Sequence, residues 1–89
     1  MKVLFDKSFS KSLDKMTSIA VKKKIEAVIL HVENAPSLYE IQNIKKMEGY
    51  KSFYRIRIGE YRIGMEMIDK NSVLFIIVAH RKDIYRIFP

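Results

Sequence analysis

The sequence predicts an α+β domain: a short N-terminal strand, an αα-hairpin, and then an antiparallel sheet of three to four strands. Apolar residues recur at helical spacing from Phe9 to Val32, alternate strictly with basic residues from Phe53 to Ile68, and run unbroken from Val73 to Ala79. A 3.6-residue period followed by a two-residue period describes helices first and strands afterwards, the segregated order of α+β folds.

Taken in order, Lys2–Phe5 is β-prone and suits an edge strand, and Asp6 or Ser8 then caps a helix carrying Phe9, Leu13 and Met16. That helix stops near Thr17 and Ser18, whose hydroxyls restart the chain as N-cap candidates. Val21, Ile25, Val28, Ile29 and Val32 form the apolar stripe of the longer second helix, with Lys22, Lys23, Lys24 and Glu26 on its wet side. Consecutive lysines splay around a helix and cannot converge on one ligand, so that run reads as a solvated face. His31 has no second histidine or carboxylate at ligand spacing and reads as a helix-boundary residue. Pro36 closes the hairpin, because the residue before a proline is pushed out of helical geometry.

A weak alternation over Ile41–Lys45 predicts a short strand, with Lys46–Tyr50 as a loop turning at Gly49. Gly59-Glu60 then reads as the two-residue turn of a hairpin, which sets Ile58 against Tyr61, Arg57 against Arg62, Ile56 against Ile63 and Arg55 against Gly64. Two arginines facing each other cost about 0.2–1 kcal/mol, so this face makes sense with an anion on it, and the anion is read as phosphate. Asp69–Ser72 reads as a four-residue connection to a last strand that is apolar on both faces and so belongs inside the sheet. With that loop, Tyr61, Ile63, Met65 and Met67 share the core face with Leu74, Ile76, Val78 and His80. The opposite face holds Arg55, Arg57, Arg62, Phe75, Ile77 and Arg81, with Gly64 and Ala79 leaving room between the arginines and Glu66 spacing them as a salt-bridge partner.

Eighty-nine residues bury one core, so residues 1–89 are expected to form a single domain with room for one site. The absence of cysteine excludes disulfides and thiolate metal sites, and two histidines cannot build a structural zinc site, so no metal and no cofactor are expected. The N-terminus lacks the pattern of a signal peptide and no apolar run approaches the ~18 residues of a membrane span, which predicts a cytoplasmic protein with no membrane partner. A net charge of +7 points to polyanions. The charge is clustered: Lys45, Lys46, Lys51, Arg55, Arg57 and Arg62 fall in one stretch, and Arg81, Lys82 and Arg86 crowd the C-terminus.

Tyr54-Arg55-Ile56-Arg57, Gly59-Glu60-Tyr61-Arg62-Ile63, the stretch to Ile68-Asp69 and the ending His80-Arg81-Lys82-Asp83-Ile84-Tyr85 resemble the RelE/ParE toxin superfamily, the toxins of type II toxin–antitoxin pairs. Residues 1–48 match it mainly in pattern. RelE-type members cut mRNA on the ribosome, whereas ParE-type members poison DNA gyrase. The resemblance implies a metal-independent endoribonuclease in which Arg55, Arg57, Arg62, Arg81 and Tyr85 act at the scissile phosphate, Arg55 by positioning the RNA backbone, and the clustered charge adds Lys45, Lys46, Lys51 and Lys82 as residues expected to hold RNA. His80 is a rival acid or base, although strand parity points it to the core side. The best-known RelE pattern has lysines where Arg55 and Arg57 stand, and an arginine is a poor proton acceptor. The implied partners are a cognate antitoxin protein and mRNA on the ribosome. A gyrase inhibitor of ParE type, or a catalytically silent RNA-binding member, are the alternatives.

Overall fold

The computed structural model describes all 89 residues. In chain order they form β1 (Lys2–Phe5), α1 (Lys7–Asp14), α2 (Ile19–Asn34), a 3₁₀ turn at Leu38–Glu40, β2 (Ile44–Lys46), β3 (Phe53–Ile58), β4 (Tyr61–Asp69), β5 (Ser72–His80) and α3 (Ile84–Ile87). The helix starts follow the cap chemistry. The Asp6 carboxylate accepts the Ser8 N–H at 3.0 Å, and Ser18 Oγ accepts the Val21 N–H at 3.2 Å. At the other end of α2 the Met1 ammonium donates to the carbonyls of Glu33 and Ala35 at 2.7 and 3.1 Å, a cation placed on orphan acceptors where the helix dipole favours it.

The sheet is larger than the three to four antiparallel strands expected. Its order is β1-β5-β4-β3-β2, five strands, with β1 running parallel to β5 and every other pair antiparallel. β5 is apolar on both faces and needs both edges paired, and β1 covers the edge that β4 leaves open, with Val3 beside Val73 and Leu4 beside Leu74. Helices α1 and α2 cover one face. Between them and the sheet lies the main core, in which Phe9, Ile25, Val32, Ile63, Met65, Val73 and Phe75 are at most 2% exposed.

The β3–β4 hairpin has the register expected of a two-residue turn, and Gly59 takes the positive φ (56°) that such a turn requires. The β4–β5 pairing departs from expectation. It holds from Tyr61 opposite His80 to Gly64 opposite Ile77, but Met65 then faces Phe75, leaving Ile76 as an extra residue in β5. Beyond that bulge the parity inverts. Phe75 and Val73 turn into the core, where Phe75 meets the rings of Phe5 and Phe9 at 5.7 and 5.5 Å, while Leu74 and Ile76 are only partly buried. Helix α1 supplies the polar groups that hold the bulge: Ser8 Oγ donates to the Ile76 carbonyl at 2.6 Å and Ser12 Oγ accepts the Val78 N–H at 3.0 Å. A second irregularity at Ile68 restores the pairing, and the connection tightens to Lys70-Asn71, two residues rather than four, with the Asp69 carboxylate accepting the Asn71 N–H at 2.8 Å.

The second face of the sheet carries a smaller apolar cluster of Met47, Ile84 and Phe88, flanked by Phe53, Ile76, Ile77 and Ala79. The room expected beside Gly64 is therefore filled: a Cβ at that position would stand 2.7 Å from the Phe88 ring. α3 and the residue after it occupy the centre of the face, and the arginines are left at its turn end and β2 side.

Candidate functional site

Strand register assembles the basic face. Arg57 lies opposite Arg62, Arg55 is flanked by Gly64 on one side and Lys45 on the other, and Arg81 follows the end of β5. The Arg81 N–H donates to the Glu60 carbonyl at 2.8 Å, which ties that end to the hairpin turn. Two adjoining depressions result. One, of about 570 Å³, is lined by Asn43, Arg57, Gly59, Glu60, Arg62 and Arg81, with no apolar side chain. The other, of about 400 Å³, lies beside it on the β2 side and includes Lys45, Arg55, Glu48, Tyr50 and Tyr85.

Each guanidinium is steered by one or two partners and keeps further donors free. Arg57 donates to Asn43 Oδ1 at 3.3 Å, and Arg62 to the Gly59 and Tyr61 carbonyls at 2.8 and 2.9 Å. Arg81 Nε donates to Glu60 Oε2 at 2.7 Å, and Arg55 Nε donates to Tyr85 Oη at 3.2 Å. A guanidinium has five N–H donors in a fixed fork, so these contacts orient the groups without exhausting them. Crowding has electrostatic consequences. Burial, with Arg55, Arg57 and Arg81 close by, makes the Arg62 guanidinium more acidic than usual, and the Tyr85 phenol is acidified first by the Arg55 hydrogen bond and then by the charges of Arg55, Lys45 and Arg62. Glu60 is held below the usual carboxylate range by its hydrogen bond and ion pair with Arg81.

The predicted residues divide. Arg57, Arg62 and Arg81 meet in the first depression, and Arg55, Lys45 and Tyr85 in the second. Lys46 also borders the second, although in β2 it alternates with Lys45 and shares the parity of Ile44. Lys51 and Lys82 are exposed and line neither depression. His80 stands opposite Tyr61, meets its ring edge-on at 5.6 Å, accepts the Lys82 N–H on Nδ1 at 3.2 Å and has Nε2 3.9 Å from Glu60. It borders Glu60 but does not line the arginine depression. Glu66, expected to space the arginines, instead accepts from Ser52 Oγ at 3.4 Å and makes no ion pair, because it lies toward the far end of β4. Asn43 and Glu60 line the arginine depression and contact Arg57 and Arg81, and sequence reasoning missed both. Asn43 sits at φ 62°, a left-handed conformation that asparagine tolerates, and Glu60 is the one acid in the turn between basic strands. Nowhere do three His, Cys, Asp or Glu side chains converge as a metal site would require, and no helix is long and apolar enough to cross a membrane.

The family model described as the ParE toxin of the type II toxin–antitoxin system parDE matches residues 3–85. The chain belongs to the RelE/ParE toxin superfamily. Among its relatives, Toxin RelE3 of Methanocaldococcus jannaschii is 43% identical to this toxin over 90 residues, covering 100% of both chains. The solved RelB-RelE antitoxin–toxin complex from Methanococcus jannaschii matches it with a TM-score of 0.80 and 41% identity, over 97% of this chain and 99% of that one. The intact E. coli RelBE toxin–antitoxin complex matches with a TM-score of 0.69 and 26% identity, over 89% and 94%. The five-stranded toxin fold described above is thus shared across archaeal and bacterial relatives.

Proposed function

We propose that this toxin is a RelE-type endoribonuclease that cuts mRNA on the ribosome and is held in check by a RelB-like antitoxin. The observation that carries the reading is the Arg55–Tyr85 hydrogen bond, which puts an acidified phenol beside a depression of three arginines. RNA is cut when the 2′-OH loses its proton and its oxygen attacks the adjacent phosphorus, breaking the bond to the 5′-oxygen, which takes up a proton. The reaction leaves a 2′,3′-cyclic phosphate and a 5′-hydroxyl. It needs a proton acceptor and donors for the charge that builds on the phosphoryl oxygens. Arg62 and Arg81 supply the donors, with Arg57 opposite Arg62 adding a third. Arg55 holds Tyr85, whose oxygen orients the 2′-OH and, as phenolate, accepts its proton. Arginine cannot take that part. His80 is assigned to the Glu60–Arg81 pair instead, because its nitrogens face Lys82 and Glu60.

Lys45 and Lys46 track the RNA backbone beside Arg55, and Lys51 and Lys82, further out, meet the surrounding polyanion. The antitoxin partner follows from the kinship with toxins solved in RelB-RelE complexes, and a net charge of +7 suits an acidic segment laid over this face. Action on translating ribosomes implies a cytoplasmic toxin. The match to a ParE family model favours a second reading, an inhibitor of gyrase that cuts no RNA. Primer extension on cellular mRNA after induction separates the two. Breaks positioned by codon are expected, and growth arrest with intact mRNA and damaged DNA overturns the ribonuclease reading.

A further inference from the structure

We propose that Phe88 is a positioning residue: seated on Gly64, it latches the C-terminal helix so that Tyr85 stays beside Arg55. The functional consequence rests on the ribonuclease reading above, whereas the latch itself rests on geometry alone. Four residues closes a ring. Gly64 pairs with Arg55 across β3 and β4, Arg55 donates to Tyr85, Tyr85 stands three positions before Phe88, and the Phe88 ring returns to Gly64.

Tyr85 cannot hold that place unaided. It is 63% exposed, and α3 is only four residues long, far short of what sustains a helix in water. The anchors are at its ends: Ile84 is fully buried and Phe88 is 4% exposed. The Phe88 N–H donates to the Ile84 carbonyl at 2.8 Å, and its ring meets the Phe53 ring edge-on at 5.6 Å and 88°. At Gly64 the missing side chain makes room for the ring. Gly49 and Gly59 have positive φ and open space where a Cβ would stand, so they answer a backbone demand. Gly64 has no such φ, yet a Cβ there would lie 2.7–2.8 Å from three atoms of the Phe88 ring. Its missing side chain makes a seat. A side chain there displaces Phe88, and with it the segment that carries Tyr85.

The test reads Tyr85 directly and needs no RNA. The phenol is titrated by ultraviolet absorbance, each protein being subtracted from its Tyr85→Phe counterpart, in the wild type, Gly64→Ala and Phe88→Ala. Both variants are expected to return the Tyr85 titration upward toward the ordinary tyrosine range, because the phenol leaves Arg55, Lys45 and Arg62. Variants that are folded by circular dichroism and titrate like the wild type overturn the latch. If either fails to fold, Phe88→Leu, which keeps apolar bulk but not the flat ring, takes the same measurement. On translating ribosomes Phe88→Ala should lower cleavage on the order of 100-fold, as misplacement of a reacting group does, and lower it no further in a Tyr85→Phe background. Multiplying effects would make Phe88 merely structural. A wild type that cuts nothing defeats the ribonuclease reading and leaves the titration to decide the latch.

Discussion

Arg81 Nε lies 2.7 Å from Glu60 Oε2, so the arginine that closes the three-arginine depression is already paired with the turn of the hairpin that supplies the others. The pair is 53% and 64% exposed at its two side chains, which keeps its own contribution to stability small. Its effect is to aim the guanidinium. Two of the Arg81 fork's outer nitrogens remain to meet a phosphate, and Glu60 must be outcompeted or share.

Removing Arg81 or Arg62 should disable the toxin without unfolding it. Arg81→Ala and Arg62→Ala are each expected to lower the cleavage rate by about 10²–10³-fold, the usual cost of a lost transition-state donor. The measurement is single-turnover cleavage of ribosome-bound mRNA, with growth arrest in cells as the second readout. Full toxicity in both variants sinks the phosphate site.

Neutralising Glu60 should strengthen RNA binding. Glu60→Gln frees Arg81 for one more phosphate, so the slope of log affinity against log salt on a single-stranded oligonucleotide should steepen by ~0.7. Acid should imitate the substitution in the wild type alone. The carboxyl is held below its usual range by Arg81, so the pair persists as pH falls through the ordinary carboxylate range. It is lost only as pH falls through the depressed value, and affinity should rise there. Filter binding across pH and salt reads both effects, and an unchanged slope refutes the restraint.

The pH profile of cleavage should carry the signature of Tyr85. If its phenolate takes the 2′-OH proton, the rate rises with pH and levels off at an apparent pKa below the ordinary tyrosine value of 10.0. Tyr85→Phe should be slow throughout and show no plateau. A plateau that survives in Tyr85→Phe assigns the proton to another group.

Phe75 tests the inverted register of β5. It is fully buried against Phe5 and Phe9, so Phe75→Ala should cost ~3–5 kcal/mol in urea denaturation. Leu74→Ala, on the half-buried side, should cost clearly less. Equal losses would contradict the bulge at Ile76.

Much of this molecule was legible in one dimension, for a physical reason in each case. The N-caps at Asp6 and Ser18 follow from side-chain oxygens that reach their own backbone, and the β3–β4 register from a turn whose geometry leaves one pairing for Arg57 and Arg62. These are local determinants, settled within a few residues of chain. What only the tertiary structure decided depends on groups distant in sequence. Ser8 and Ser12 hold the bulge at Ile76 from the other end of the chain, and that one extra residue sends Phe75 to the core instead of the arginine face. Phe88 fills the seat at Gly64 that alternation alone left open, and Asn43 and Glu60 become partners of Arg57 and Arg81 only when the strands stand side by side. Periodicity specifies which face a residue prefers; the folded backbone determines who meets it there.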